Sequence, residues 1–231
     1  MAAFVELHVE QGGELERENC AIGIVTGIVG QYRYQVSIQG QANHAGTTPM
    51  QYRQDALVAA AKIILAVQEI VTRTAPDAVG TVGYLSNAPN VSNTIPGRVD
   101  LSLDLRDLDD QVLTQILSQL FAEINAIADQ THTIIHTQQT LQIAPTLASP
   151  RIMDDLEELC DRQGISHLRL PSRAGHDAQE IGRITEMGMI FVPSQGGISH
   201  DHTEFTAPES CIQGTQLLLD MFLKQSTRAL S

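Results

Sequence analysis

The chain has 231 residues, of which 42% are hydrophobic and 18% charged, and its mean hydropathy is −0.05. This composition is typical of a folded globular protein with one or two domains and excludes a disordered or fibrous chain. The formal charge is −13 and the lysines and arginines are scattered singly, so nucleic acid is excluded as a partner.

Strands and amphipathic helices alternate in the first part of the chain. The run FVELHV and two β-branched runs that begin at Ile22 predict strands. Residues 54–72 and 109–130 repeat apolar side chains every three or four positions, which predicts two helices that each pack by one face. Further strands are predicted at 79–85, 98–106 and 131–137. The order over residues 22–137 is therefore β-α-β-β-α-β, a split, ferredoxin-like sandwich with two helices on one face of an antiparallel sheet.

After Pro145 the pattern changes to helices separated by short apolar strands. Helices are predicted at 150–163, 177–183 and 208–223, and strands at 167–170 and 189–192. Such alternation is typical of a parallel α/β sheet, to which FVELHV would add a strand. We therefore predict an α/β fold in which residues 1–21 and 138–231 form one domain and residues 22–137 are inserted into it. Because FVELHV has no lead-in, we also expect that the chain begins within a domain.

The cysteines and the N-terminus indicate the compartment. Cys20, Cys160 and Cys211 are odd in number and widely spaced, which favours free thiols in a reducing environment. The N-terminus lacks the basic and apolar segments of a secretory signal, and no apolar run has the length of a membrane span. We therefore expect a cytoplasmic protein with no membrane partner.

Five of the eight histidines occupy turn-like or strand-end positions beside Gly, Asp or Glu: His8, His44, His176, His200 and His202. Glu6, His8 and Glu10 alternate along a predicted strand, so we expect their side chains on one face. His200 follows another predicted strand, at the position where α/β sheets build their sites. Imidazole and carboxylate groups suit a zinc-like ion, although the spacing from His8 to His200 is no metal signature and purely structural histidines remain the alternative.

Several longer motifs occur in a fixed order: ELHVEQG, GQANHAGTTPM, NTIPG followed by DLRD, AGHDAQ and GGISHDHTEF. Over its whole length the chain resembles the amidase, hydantoinase and carbamoylase branch of the M20 metallopeptidase superfamily. That branch includes N-carbamoyl-L-amino-acid hydrolases, allantoate amidohydrolases and β-ureidopropionases. The resemblance implies a hydrolase of non-peptide C–N bonds, with an α/β catalytic domain for two divalent ions, zinc or manganese. It also implies that the insertion is a lid that forms a homodimer, and that the substrate is a small ureido or carbamoyl compound with a carboxylate.

The same resemblance implies roles for single residues outside the insertion. It implies that His8 binds one ion and His200 the other, and that Gln11 and His176 contact the substrate. Arg173 stands where the family usually has glycine, and two alternatives stay open for this long cation: it crowds the pocket, or it changes the substrate that the pocket accepts. Near His200, a His-Thr pair at 202–203 replaces a common Pro-Glu.

Within the insertion the resemblance implies a substrate-binding set. His44 would be catalytic, polarising the scissile carbonyl and stabilising the oxyanion while reaching into the site of the neighbouring subunit. Arg106 would grip a carboxylate in bidentate fashion and Asn93 would donate to the same carboxylate. Two alternatives stay open: Asn93 shapes its own turn, and Arg106 pairs with Asp104 or Asp107.

The resemblance assigns the remaining metal ligands and the general base to a segment upstream of ELHVEQG. We therefore expect that this chain alone does not bind two ions tightly and does not hydrolyse the substrate. Two other hypotheses are a non-catalytic dimerisation or binding protein, and a fragment that a separate catalytic chain completes.

Overall fold

A computed structural model describes residues 3–228. The strands are β1 Phe4–Val9, β2 Ile22–Ile28, β3 Gly30–Gln39, β4 Asn43–His44, β5 Val79–Thr81, β6 Leu85–Ala88, β7 Thr94–Ile95, β8 Arg98–Asp107, β9 Ile134–Ile143, β10 Thr146–Leu147, β11 His167–Ser172 and β12 Met187–Val192. The helices are α1 Glu14–Arg17, α2 Ala56–Thr74, α3 Asp110–Thr131, α4 Pro150–Gln163, α5 Asp177–Ile181 and α6 Pro208–Arg228. The fold is of the mixed α/β class. No helix within the described range is long and apolar enough to cross a membrane.

The chain divides into two compact units, and the first consists of Met1–Val29 with Pro145–Ser231. Its sheet has the order β1-β12-β2, and β10 and β11 both pair with β2. The β1–β12 and β11–β2 pairs are parallel, as predicted, but β12 and β10 run antiparallel to β2, so the sheet is mixed. All six residues of β12 are buried, which explains its unbroken apolar sequence MGMIFV.

The second unit is Gly30–Ala144, whereas the sequence predicted an insertion over 22–137. The difference at the N-terminal boundary arises from β2, which lies in the first sheet between β12 and β11. Six of its seven residues are buried. A strand covered on both faces loses the alternation that would assign it to one sheet, so its apolar run did not reveal which unit it joins. At the other boundary, β9 continues to Ile143.

An antiparallel sheet covered by two helices forms the second unit. β8 lies between β3 and two short strands, β5 and β6, which pair with different parts of it, and β9 is the neighbour of β3 on its other side. Taken as one interrupted strand, β5 and β6 give the element order β-α-β-β-α-β. The buried faces of α2 and α3 share one apolar core with the inward side chains of β3 and β8. Asp55 and Asp109 cap the two helices by accepting backbone N–H groups of their first turns.

Candidate metal and substrate site

Three side chains of types that can bind a metal meet at the end of β1 in the first unit. Glu6 and His8 point to the same face because they are two positions apart on a strand. His176 immediately precedes α5. One ligand atom from each of these residues lies within 4.8 Å of the other two, and the two imidazole rings are 4.6 Å apart. We call Glu6, His8 and His176 the histidine–carboxylate group.

Hydrogen bonds fix the orientation of the first two members. The Nδ1 atom of His8 lies 2.8 Å from the carbonyl oxygen of Val9. A carbonyl can only accept, so Nδ1 carries the proton and Nε2 keeps its lone pair for a ligand. One oxygen of Glu6 accepts the backbone N–H of Ala178 at 2.8 Å, and the other lies 3.9 Å from Nδ1 of His176.

His176 is buried, with its side chain 2% exposed against 18% for Glu6. Burial, and then the nearby His8, lower the pKa of His176 to about 4, against a smaller opposing effect of Asp177. The ring is therefore neutral near pH 7, which is the form that binds a metal. Its Nε2 atom lies 2.7 Å from Oγ of Ser172, which holds the ring in place. Two neutral imidazoles and one carboxylate suit a divalent zinc-like ion.

Glu10 was expected on the same face as Glu6 and His8, and the structure places it elsewhere. The strand ends at Val9, and the Glu10 carboxylate turns to accept the backbone N–H groups of Glu14 and Leu15 at 2.7 and 3.0 Å. It caps the short helix α1 instead of joining the histidine–carboxylate group. His176 takes its place, since parallel pairing brings β1 beside β12, and α5 packs against both.

Gln11 and His200 face each other, with their Nε2 atoms 3.4 Å apart. Both have φ of 58°, a conformation that is strained for a residue with a side chain and concentrates at functional sites. The two loops can meet because Gly197 lies against Gly13: a Cβ at Gly197 would be 2.7 Å from the Gly13 nitrogen. His200 is outside the histidine–carboxylate group, so its predicted role as the second metal ligand stays a prediction.

A cavity of about 260 Å³ adjoins Gln11 and is lined in part by Arg173, Arg17 and Phe191. Arg173 thus borders this cavity, and its predicted crowding of a substrate pocket stays a prediction. His202 is 89% exposed, and its ring contacts Asp201 at 3.2 Å.

In the second unit, His44 and Asn93 lie on neighbouring segments. β4 pairs with β7, His44 stands opposite Thr94, and the N–H of Ala45 donates to the Asn93 carbonyl. The Nδ1 atom of His44 accepts the N–H groups of Gly46 and of the following threonine at 3.0 and 3.3 Å. An accepting Nδ1 places the proton of the neutral ring on Nε2, so this exposed ring can donate to a carbonyl oxygen.

Arg106 lies far from Asn93 in one copy of the chain, although the sequence predicted that both would hold one carboxylate. The β3–β8 ladder runs from the Arg106 pair to the Arg98 pair, and the β4–β7 pairing with His44 continues beyond it. Eight residues of extended strand span about 26 Å. Within one copy, Arg106 and Asn93 therefore lie toward opposite ends of β8, and their predicted binding of the same carboxylate stays a prediction.

Arg106 makes the ion pair that the sequence left open as an alternative. Its Nε and Nη2 atoms bond the two oxygens of Asp104 at 2.8 and 3.2 Å, and Arg33 bonds the same carboxylate at 2.7 Å. Burial alone would raise the pKa of Asp104, but the hydrogen bonds from Arg106 and Arg33 outweigh burial and lower it. Carboxylate binding by Arg106 stays a prediction.

The sequence pattern of the peptidase family M20/M25/M40 matches residues 1–224. The chain belongs to this family. The family is metal-dependent, which agrees with the donor chemistry of the histidine–carboxylate group.

Several similar proteins in the family are amidohydrolases by name. The chain is 41% identical over 216 residues to the N-carbamoyl-L-amino acid amidohydrolase of Geobacillus stearothermophilus, covering 94% of this chain and 53% of that protein. It is 40% identical over 227 residues to the allantoate amidohydrolase of Bacillus subtilis, covering 97% and 54%. A crystal structure of an amidase of the hydantoinase/carbamoylase family from Burkholderia multivorans matches with a TM-score of 0.93 at 37% identity, covering 97% and 55%. The chain thus spans about half the length of these relatives.

Proposed function

We propose that this chain is part of a metal-dependent amidohydrolase that acts on linear ureido compounds of the N-carbamoyl-L-amino acid or allantoate type. The observation that carries the proposal is the histidine–carboxylate group, at the end of a sheet strand in a chain of this family. His8 through Nε2, Glu6 and His176 would hold one divalent ion, zinc or manganese, and His200 a second. This proposal gives His176 a ligand role in place of the substrate contact that the resemblance implies. Bound there, such an ion supplies Lewis-acid catalysis.

The chain's own polar groups have separate tasks in this proposal. The amide of Gln11, beside His200, binds and orients the ureido group. His44 donates its Nε2 proton to the carbonyl oxygen and stabilises the negative charge that develops there. Arg106 binds the substrate carboxylate, which weakens its ion pair with Asp104.

The second unit acts as a lid and dimerisation unit in the proposed enzyme. The separation of Arg106 from His44 and Asn93 along β8 supports two copies, because one copy cannot bring all three to one small molecule. The assembly is therefore a homodimer in which His44 and Asn93 serve the partner's substrate. Closing the lid would exclude water from the reacting groups.

We expect that the chain alone binds one ion weakly and does not turn over substrate, because a single three-donor group lacks a second full ligand set and a general base. The test measures metal content of the purified protein and ammonia release from N-carbamoyl amino acids and from allantoate. His8→Ala and His176→Ala are expected to abolish the bound metal, whereas the matched control His202→Ala, on an exposed ring, retains it.

Two outcomes contradict the proposal in different ways. If none of the tested divalent ions binds, or binding survives both histidine substitutions, the metal site is wrong. If the isolated chain releases ammonia at rates typical of enzymes, the site is right and the expected inactivity is wrong.

A further inference from the structure

Ser172 bonds the ring nitrogen of His176 that does not face Glu6. It is the last residue of β11, and it follows a shift in the β11–β2 register at Pro171, a residue that has no N–H for a ladder. Ser172 is 1% exposed, and its backbone carbonyl accepts the N–H of Val29 at 3.0 Å. A buried residue held by the sheet in this way keeps its hydroxyl in one place beside the ring.

The hydroxyl of Ser172 has three hydrogen-bond partners. The carbonyl oxygen of Ala174 lies at 3.0 Å, the N–H of Ala174 at 3.3 Å and Nε2 of His176 at 2.7 Å. A hydroxyl has one proton to donate and two lone pairs that accept. The carbonyl can only accept, so it takes the hydroxyl proton, while the N–H donates to one lone pair. Nε2 can use the second lone pair only by donating to it, which requires that Nε2 carries the ring proton.

The other ring nitrogen is a poorer place for that proton. Within residues 3–228 the Nδ1 atom of His176 makes no hydrogen bond, and the Glu6 oxygen that faces it is 3.9 Å away, beyond hydrogen-bond distance. The charge of Glu6 nevertheless attracts a proton to Nδ1. Moving the proton there would make the hydroxyl donate to Nε2, so the Ala174 carbonyl would lose its bond and the new N–H would have no acceptor within reach. The hydroxyl therefore opposes the pull of Glu6.

We infer that Ser172 is a positioning residue that keeps the proton of His176 on Nε2 and turns an unprotonated Nδ1 towards the rest of the histidine–carboxylate group. The consequence for metal binding rests on the proposed function: Nδ1 is then the atom through which His176 binds the ion. Nε2 of His8 is likewise unprotonated, so two imidazole lone pairs and a carboxylate converge with no proton between them. These groups repel one another, and a cation among them removes the repulsion. A partner that fixes the tautomer of a ligand in this way raises metal affinity.

Nitrogen NMR of isotope-labelled histidines in the metal-free chain tests the inference directly, because protonated and unprotonated ring nitrogens have well-separated chemical shifts. The spectra are recorded at pH 7, where the His176 ring is neutral, and His176→Gln identifies its signals. In the unsubstituted chain we expect the proton on Nε2. In Ser172→Ala the proton should move, wholly or in part, to Nδ1, because the charge of Glu6 is then unopposed.

Two further variants separate this role from a general loss of structure. Ser172→Thr keeps a hydroxyl and should hold the proton on Nε2. Ser166→Ala is the matched control, since Ser166 also uses its hydroxyl to bond backbone groups of the first unit, at Ala21 and Asn19, and should leave the His176 signals unchanged.

A zinc titration measures the consequence for the ion. Ser172→Ala is expected to lower zinc affinity about 10–100-fold, the usual effect of removing a partner that orients a metal ligand. Ser172→Thr and Ser166→Ala should bind zinc as the unsubstituted chain does. Bound zinc should shift the Nδ1 signal of His176 more than its Nε2 signal.

The spectrum of the unsubstituted chain decides first. A proton on Nδ1 of His176 there would overturn the inference before any variant is made. Unchanged His176 signals in Ser172→Ala, or zinc bound as tightly by Ser172→Ala as by the unsubstituted chain, would overturn it as well. If the position of the proton depends on Ser172 but the chain binds no zinc, the inference stands and the metal site of the proposed function is wrong.

Discussion

Replacing Gly197 by alanine tests whether close backbone contact holds the His200 loop against Gln11. Gly197 has φ of 66°, where a residue with a Cβ costs about 1–2 kcal/mol. The new Cβ would lie 2.7 Å from the Gly13 nitrogen, and ordinary contact begins at 3.4 Å, so the two backbones must separate by 3.4 − 2.7 = 0.7 Å. Forcing extra atoms into packed structure costs a further 1–3 kcal/mol or so. We expect a total loss of about 2–5 kcal/mol in the free energy of unfolding of the first unit.

Gly164→Ala is the matched control. Gly164 ends α4 with the same φ of 66°, but a Cβ there would meet nothing within 4 Å. The alanine therefore adds only the cost of the left-handed conformation, which the lower flexibility of the unfolded chain partly offsets. The expected net loss in the free energy of unfolding is about 1 kcal/mol.

Urea unfolding followed by circular dichroism compares the two variants, and NMR of the His200 ring reports whether its contact with Gln11 survives. Gly197→Ala is expected to cost more and to shift the ring resonance, whereas Gly164→Ala leaves that resonance in place. Equal losses, or an unshifted resonance in Gly197→Ala, would refute the argument that backbone contact positions His200.

Three further outcomes follow from the geometry. Glu6→Gln should weaken ion binding at the histidine–carboxylate group, whereas Glu10→Gln should leave ion binding unchanged. Because Glu10 caps α1, Glu10→Gln should instead lower the free energy of unfolding by about 1 kcal/mol. Equal effects of the two variants in a metal titration would contradict the assignment. Burial raises the pKa of Cys160 to about 11, so in a thiol-reagent assay at pH 8 it should react far more slowly than the exposed Cys211, and equal rates would count against the buried position. Asp104→Asn should cost about 1–3 kcal/mol at pH 7. Because the pKa of Asp104 is lowered in the folded protein, the stabilisation by its carboxylate is present above pH 3.8 and is lost as the pH falls through the lower folded value. Urea unfolding at pH 3 should therefore show a smaller difference between Asp104→Asn and the unsubstituted protein.

The parts of the fold that the sequence predicted well are those with a periodic apolar pattern. The second unit follows from the one-sided helices α2 and α3 and from the alternation in β8, where every second residue is buried. Helix α4 was predicted with its observed limits, because Pro150 begins it and Gly164 ends it in a left-handed conformation. Strand β2 lacks such a period, so its place in the first sheet could be found only from its pairing with β11 and β12.

The candidate site was predicted in its residue types and less well in its grouping. His8 and His176 were both singled out, but nothing local in the sequence shows that they are neighbours, because β1 and α5 are brought together by sheet pairing over a long separation. The alternation of β1 correctly predicted that Glu6 shares the face of His8. The same rule failed at Glu10, since it applies only while the strand lasts. The sequence likewise could not predict how far Asn93 lies from Arg106, because that separation follows from the register of β8.

The length of the β3–β8 ladder makes the proposed dimer genetically testable. In that proposed dimer, each substrate-binding site would combine Arg106 of one copy with His44 of the other. A mixed dimer of one subunit defective at His44 and one defective at Arg106 would contain one intact substrate-binding site out of two. A dimer of two identical defective subunits would contain none. Random mixing of equal amounts makes about half of the dimers mixed, so it should restore about a quarter of the normal number of intact sites.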